Sequence, residues 1–329
     1  VQRTAFVTGG SGFIGGRLVE RLVAEGSSVR ALARSEGSAE RVASLGADPV
    51  RGDLLDADSI AAGAEGCEVA FHLAAHLGDW GPWEEFERGN VTGTRNALEG
   101  TARAGVTRFV HCGTEAALMA GQPLVHVDET APLRPDSKAP YPATKARAEQ
   151  AVRAAARPGF KTVVLRPRFV WGAGDTTLLP TMVAMVEKGR FAWVGDGRNL
   201  TETTHVANVV EGLVLAAEKG ASGEAYFVTD GGPVVFREFV SAMLRTQGVE
   251  PPDRTLPGRI AGPLAATAET AWRLLPLPGS PPLTRFTAWV LTQECTIDIS
   301  KARAELGYEP VLTREQGLEE LREAHAARV

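Results

Sequence analysis

Thr8-Gly9-Gly10-Ser11-Gly12-Phe13-Ile14-Gly15 decides how this chain is read. It follows an apolar run, Thr4–Val7, and opens a helical stretch, Phe13–Glu25, with Ile14, Leu18, Leu22 and Val23 near one face. Three of its glycines each answer a need of a phosphate-binding turn. Gly9 permits the tight turn, Gly12 lets backbone approach a pyrophosphate, and Gly15 lets helix pack closely on strand. The first helical turn, with Phe13 and Ile14, offers free N–H donors and a positive dipole end to an anion. The spacing is GxxGxxG rather than GxGxxG. Its place at the first strand-to-helix turn is what gives it weight.

Outward from this loop, apolar strands alternate with helical stretches. Ser28–Ala33, Asp48–Arg51, Val69–Ala74, Thr107–Cys112 and Lys161–Leu165 read as strands. Between them lie helices at Ala39–Leu45, from the N-cap Asp56 to about Ala64, Glu85–Ala104 and Pro142–Ala156. This order means βαβ units: an α/β fold with a doubly wound parallel sheet (Rossmann). Beyond Pro167 the pattern loosens. Helices are expected over Thr177–Lys188, Val206–Ala217, Phe236–Gln247 and Arg314–Ala327, and a proline-rich, partly helical cap over Gln247–Pro282.

Composition narrows the function classes. Apolar residues make up 44% and charged ones 23%, as in ordinary globular chains, and the net charge of -5 offers no basic surface for nucleic acid. The cysteines, Cys67, Cys112 and Cys295, are odd in number and far apart, so no disulfide frame is expected. The six histidines form no HExxH or His/Cys cluster, so no metal is expected. No apolar run is long enough to span a bilayer. The opening Val1-Gln2-Arg3 leads straight into a strand, so no secretory leader is expected and a cytoplasmic location is.

The second strand bears on cofactor choice. An acidic residue at its end would bond the ribose 2′-hydroxyl of NAD. Ala33 holds that place, and Arg34 and Ser35 follow. An arginine there can pair with a 2′-phosphate, so NADP is favoured over NAD. Glu36 is near enough to reach the ribose and keeps NAD open.

Tyr141-Pro142-Ala143-Thr144-Lys145 places a phenol and an ammonium four residues apart on one side of a helix start. A free tyrosine, with a pKa near ~10, is a poor acid at neutral pH. A neighbouring lysine is expected to lower that pKa. Tyr226 and Tyr308 lack such a partner.

With these residues in place the chain resembles the short-chain dehydrogenase/reductase superfamily in its extended form, over nearly all its length. The likeness is carried by TGGSGFIG at Thr8–Gly15, Gly52-Asp53-Leu54, Phe71-His72-Leu73-Ala74-Ala75, Asn90-Val91-Thr92-Gly93-Thr94, Tyr141…Lys145, Leu165-Arg166-Pro167 and Thr204-His205-Val206-Ala207-Asn208-Val209. It implies a Rossmann domain over 1–170 and 204–230, and a smaller, discontinuous substrate-binding region over 171–203 and 231–329. It also implies that Asp53, with Leu54, contacts the adenine and that Leu73, Ala74 and Ala75 line the middle of the cofactor. Tyr141 becomes the proton donor or acceptor, Lys145 also holds the nicotinamide ribose, and Pro167 and Phe169 lie near the nicotinamide amide. Thr114, in Phe109-Val110-His111-Cys112-Gly113-Thr114-Glu115, falls where the family has a catalytic serine. Asn90 is read equally as a catalytic part and as a lock on the sheet. A homodimer through Glu85–Ala104 and Pro142–Ala156 is implied, with a monomer as the alternative.

For the substrate, Trp80, Trp83 and Phe86 follow the fourth strand, and residues 255–292 are apolar, with Leu264, Trp272, Leu274, Leu275, Leu277, Phe286 and Trp289. Such lining suits a bulky, flat apolar molecule more than a charged nucleotide sugar, although many of these side chains must also form local core. Trp80, Trp83 and Glu115 are the candidate substrate contacts. Pro281-Pro282-Leu283-Thr284-Arg285 and the Lys301-Ala302…Leu306-Gly307-Tyr308-Glu309-Pro310 tail resemble the 3β-hydroxysteroid dehydrogenase branch. That branch implies an NAD(P)-dependent oxidoreductase interconverting a secondary alcohol and a ketone, with a 3β-hydroxysteroid as a candidate substrate. The alternatives are a nucleotide-sugar epimerase or dehydratase, weakened because Ala116 stands where a second acid would be, and a non-catalytic NADP-binding redox sensor, which would not need the tyrosine–lysine pair.

Overall fold

The computed structural model describes residues 3–275 and 277–327. Seven strands build the main sheet: β1 (Thr4–Thr8), β2 (Ser28–Ala33), β3 (Asp48–Arg51), β4 (Val69–His72), β5 (Arg108–Cys112), β6 (Lys161–Pro167) and β7 (Glu224–Val228). They lie in the order β7-β6-β5-β4-β1-β2-β3, and every neighbouring pair is parallel. The chain runs outward from β1 to β3, then crosses back to start again at β4. Ligands of open α/β sheets bind at such a reversal, outside the carboxyl ends of the strands.

The helices are α1 (Phe13–Ala24), α2 (Glu36–Ser44), α3 (Ala57–Ala64), α4 (Gly93–Arg103), α5 (Pro140–Ala154), α6 (Leu178–Glu187), α7 (Val206–Lys219), α8 (Phe236–Thr246), α9 (Gly258–Leu274), α10 (Arg285–Thr292) and α11 (Arg314–Ala326). Side chains alternate across the sheet with the two-residue period of a strand. Phe6, Ala70, Phe109 and Val164 share a core with Ile60 of α3, Ala97 and Leu98 of α4 and Val152 of α5. Val7, Phe71, Val110 and Leu165 share another with Leu18 and Val19 of α1 and Val209 and Leu213 of α7. Both faces are thus covered, which is why these strands are almost wholly apolar.

Local chemistry starts several helices where the sequence places them. Asp56 caps α3 by accepting the N–H groups of Asp58 and Ser59. Ser35 and Ser38 form a reciprocal capping box on α2, as Thr313 and Gln316 do on α11.

Two regions differ from the expectation. The helix expected over Glu85–Ala104 is a short turn, Trp83–Phe86, a π-helical stretch, Glu87–Thr92, and then α4. The proline-rich stretch, expected to be irregular and only partly helical, contains α9, a continuous helix seventeen residues long with Pro263 inside it. Its many alanines favour helix, and the flanking prolines masked that signal. A second, four-stranded sheet joins Leu124–Val127, Leu200–Thr201, Val234–Val235 and Cys295–Ile297. The sequence reading also left β7 unassigned as a strand.

A methyl group on Gly15 would lie 2.0 Å from the Gly9 carbonyl oxygen, which is backbone that cannot step aside cheaply. Gly15→Ala is therefore expected to cost about 1–3 kcal/mol by overpacking, despite alanine's better helix propensity. Urea denaturation checks this, and unmodified stability would show that the loop has slack.

Candidate active site

The glycine loop sits at the carboxyl end of β1 and rests directly on the chain that leaves β4. Gly9 has φ +76°, and a Cβ there would lie 2.6 Å from the Ala74 nitrogen and 2.8 Å from the Leu73 carbonyl carbon. Only glycine fits that backbone and that space. Gly12 is the N-cap of α1 and makes no side-chain capping bond. The start of α1 is therefore a cradle whose N–H donors suit the pyrophosphate of a dinucleotide. Leu73, Ala74 and Ala75 are partly exposed beside it.

At the end of β2, Arg34 is solvent-exposed. Glu36, the residue that kept NAD open, lies 3.7 Å from Arg51, with both side chains well exposed. Ser35, expected at the cofactor, accepts the Ser38 N–H at 3.2 Å, so its hydroxyl serves the helix cap. Asp53 accepts the Leu55 N–H at 2.9 Å and donates its own N–H to Ser59, which fixes the turn after β3. Leu54 packs against Gly93 of α4, where a Cβ would come within 2.5 Å of it.

The tyrosine and lysine stand in the first two turns of α5. Pro140 and Pro142 fit there because the first N–H groups of a helix have no intrahelical partner. Lys145 is buried and donates from Nζ to the Cys112 carbonyl oxygen at 3.0 Å. Burial lowers its pKa, opposed by Cys112 and Glu149. The Tyr141 ring is partly buried against Phe286 of α10, with centroids 5.5 Å apart.

The sequence reading expected lysine to lower the phenol pKa. Instead, burial first, and the Glu115 carboxylate second, push Tyr141 above its ordinary value. Thr114 pulls the other way by hydrogen bonding. The lysine ammonium is engaged with the backbone of β5, and its charge is not what sets the phenol.

Thr114 follows β5 and Gly113. It accepts the Ala116 N–H at 3.2 Å and donates its proton to Glu115 Oε2 at 2.8 Å. Glu115, expected at the substrate, is only 4% exposed and its other oxygen accepts Arg168 Nη1 at 2.5 Å. Both carboxylate oxygens are committed inside the protein. Arg168 was missed by the sequence reading. The signal available was an arginine immediately after the Leu165-Arg166-Pro167 motif, with no acid beside it in sequence.

Pro167 ends β6, and Phe169 has φ +41°, a conformation that side chains rarely adopt. The Phe169 ring, expected near a nicotinamide, packs edge-on to Phe236 and Phe239 of α8 at 5.9 and 6.3 Å. That packing leaves the backbone of this turn, more than the ring, to face a ligand.

Asn90 lies in the π-helical stretch. Its Oδ1 accepts the His76 N–H at 2.7 Å, and its Nδ2 donates to the His76 carbonyl at 3.1 Å and to Thr144 Oγ1 at 3.0 Å. It ties the chain after β4 to α5 at Thr144, next to Lys145 and one turn from Tyr141. Of the two readings of Asn90, this geometry is that of a lock. Further along the same loop, Asp79 accepts hydroxyl protons from Thr284 and Thr287 at 3.0 and 2.6 Å. That fastens the loop to α10, which carries Phe286. Trp80, partly exposed, has the Arg273 guanidinium 5.5 Å over its ring, and Trp83, also partly exposed, starts the next helical turn.

Among the described residues, no group of three or more His, Cys, Asp or Glu is placed to hold a metal ion, and no helix is long and apolar enough to cross a membrane.

Residues 6–258 match the model of the 3-beta hydroxysteroid dehydrogenase/isomerase family. The chain belongs to that family. It is 48% identical to a 4-hydroxy-2-methyl-3-oxo-4-farnesyl-3,4-dihydroquinoline-1-oxide ketoreductase of Stigmatella aurantiaca, over 98% of this chain and 96% of that one. It is 34% identical to a 3 beta-hydroxysteroid dehydrogenase/Delta 5-->4-isomerase of Mycobacterium tuberculosis, over 95% and 88%. Among solved structures, MoeE5 in complex with UDP-glucose and NAD superposes with a TM-score of 0.74 at 25% identity, covering 99% of each chain. As a member of this 3-beta hydroxysteroid dehydrogenase/isomerase family, the protein is an NAD(P)-dependent oxidoreductase with the extended short-chain dehydrogenase/reductase fold.

If Asn90 is a lock, Asn90→Ala strands the partly buried His76 N–H and carbonyl. Leaving such groups unpaired costs about 1–3 kcal/mol each. A clear loss of thermal stability is expected together with weaker turnover. Full stability with selective loss of kcat would mark Asn90 as a participant in the chemistry instead.

Proposed function

We propose that the protein reduces the ketone of a bulky apolar substrate, and oxidises the matching secondary alcohol, with NADP(H) preferred. One observation carries the reading: the Tyr141 ring packs against an apolar lid, Phe286, with centroids 5.5 Å apart. An aromatic ring over the acid suits a flat apolar substrate better than a charged nucleotide sugar. The names of the two relatives, a ketoreductase and a 3 beta-hydroxysteroid dehydrogenase, agree with that substrate class. The aromatic side chains Trp80 and Trp83, with residues 171–203, 231–275 and 277–327, form the substrate side.

The cradle at Gly9, Gly12 and Gly15 fits a dinucleotide, because a side chain at Gly9 or Gly15 would collide with backbone. The cofactor, when bound, supplies a hydride to the carbonyl carbon. The protein's own part is to hold the substrate oxygen and give it a proton. Tyr141 donates that proton from its hydroxyl. Thr114 aligns the phenol. Lys145 is held at the Cys112 carbonyl on the same side of α5, within reach of a ribose. A dehydratase would need a free acid beside Thr114, and Glu115 is committed to Arg168.

Positioned proton transfer contributes ~10²–10⁴-fold in rate. Tyr141→Phe removes the hydroxyl and leaves the ring to pack. It is expected to lower kcat for ketone reduction by at least about 10²-fold with little change in cofactor affinity. Turnover at the unmodified rate would reduce Tyr141 to a packing residue.

Arg34 carries the cofactor preference. Calorimetric titration is expected to show NADPH binding at least about tenfold tighter than NADH, a difference of about 1.4 kcal/mol. Arg34→Ala is expected to erase most of that gap while leaving NADH affinity within twofold or so. Equal affinities in the unmodified protein would sink the assignment.

A further inference from the structure

A helix on the surface of a globular protein ordinarily turns its large apolar side chains inward. In α9 that pattern is reversed. Its buried positions are Ala261, Ala265 and Glu269, and the large aliphatic side chains are outside. Ile260 and Leu264 are each 47% exposed, and Leu274 is 77% exposed. At about 100° per residue these three fall within one sector of the helix, which Thr267 and Ala271 complete. Just past the helix end, Leu275 and Leu277 are exposed as well. Leu264, Leu274, Leu275 and Leu277 thus stand at the surface, where the sequence alone suggested a pocket lining. An apolar stripe of this kind marks a surface that something covers.

The charges beside it identify the cover. The chain as a whole carries -5, yet from Arg254 to Thr292 it holds four arginines and one acid, Glu269. That acid is buried and committed inside: it accepts the Arg285 N–H at 2.7 Å and Arg285 Nη1 at 2.6 Å. Asp253, just before the segment, pairs with Arg237 at 3.2 Å. Arg254, Arg259 and Arg273 are all exposed. The stripe is therefore flanked by positive charge, with no exposed acid in its own segment. This is the make-up of a helix that lies in the headgroup region of an anionic bilayer. The aliphatic side chains enter the acyl boundary, and the guanidinium groups stay with the lipid phosphates. A two-fold contact between copies of this chain would instead bring the same arginines together.

The place of α9 in the fold gives this surface a use. Ala261 and Ala265 pack with Ala288 of α10. Ala288 and Phe286 are two residues apart, hence on opposite sides of α10, and Phe286 lies against the Tyr141 ring. α10 is sandwiched between α9 and the phenol.

We propose that α9, with Leu275 and Leu277, docks the protein on the surface of an anionic lipid bilayer. The helix lies on the membrane and does not cross it. The docked face backs onto the lid over Tyr141, so a ketone dissolved in the lipid meets that lid without a passage through bulk water. This use rests on the substrate reading above; the docking itself does not.

Sedimentation of the full chain with lipid vesicles tests the proposal. Vesicles of phosphatidylcholine mixed with phosphatidylglycerol are expected to bind it at least about tenfold more tightly than phosphatidylcholine alone. Added salt is expected to narrow that gap. Ile260→Glu with Leu264→Glu puts two carboxylates into the stripe and is expected to lower binding by at least about tenfold. Arg254→Ser with Arg259→Ser is expected to remove most of the preference for the anionic lipid; Arg273, which also covers Trp80, is left in place. Val311→Glu, at an exposed aliphatic side chain outside the segment, should change neither. An unchanged melting temperature separates lost binding from lost folding. Should the double glutamate variant not fold, Leu274→Ser and the arginine pair carry the same test.

No binding to the mixed vesicles, or binding that the paired variants leave intact, overturns the proposal. Equal affinity for both kinds of vesicle overturns the anionic assignment. A dimer that Ile260→Glu with Leu264→Glu splits, in a protein that ignores vesicles, would show that a second copy covers this face and would overturn it too. No substrate enters the measurement, so its failure is separate from a failure of ketone reduction.

Discussion

The whole site depends on backbone touching backbone. At Gly9 and Gly15 the loop, the start of α1 and the chain leaving β4 approach so closely that one added carbon would meet carbonyl or amide atoms within 3 Å. This contact places the donor end of α1 at the reversal of strand order between β1 and β4. It also sets where Leu73 and Ala74 can run, and hence where the Asn90 lock can reach His76. The lock in turn holds α5 through Thr144, and α5 carries Tyr141 and Lys145. A glycine spacing near the amino end therefore propagates, contact by contact, to the position of a phenol well over a hundred residues later.

The electrostatics differ from the simplest account of a tyrosine–lysine pair. Lys145 is bonded to the Cys112 carbonyl, and the phenol responds to burial and to Glu115. The buried Glu115–Arg168 pair is costly to desolvate, and burial alone makes such a pair weak evidence for stability.

Much of this was legible in the sequence. The glycine loop, the alternation of strand and helix, the Asp56 cap and the tyrosine–lysine spacing are all local patterns, and the structure keeps them. The π-helical stretch was not legible, because an extra residue per turn over the six residues Glu87–Thr92 is too short to leave a periodicity of its own. The second sheet was not legible either, since its strands are two to four residues long and come from distant parts of the chain. Glu115 read as a free acid because its partner, Arg168, lies far along the sequence. The helix cap at Ser35 and the α8 aromatic contacts of Phe169 are further long-range or capping roles that their motifs did not announce. Long-range pairing of this kind leaves no trace in local spacing.

The central claim is that hydride and proton reach a ketone of an external apolar substrate. Incubating the protein with NADPH deuterated at the transferable position and an apolar cyclic ketone, then analysing the product by mass spectrometry, tests it directly. The account predicts one deuterium on the carbinol carbon of the alcohol, with cofactor consumed mole for mole. Unlabelled alcohol would contradict it. So would the absence of ketone reduction in a protein that converts a UDP-sugar to its epimer without net consumption of cofactor.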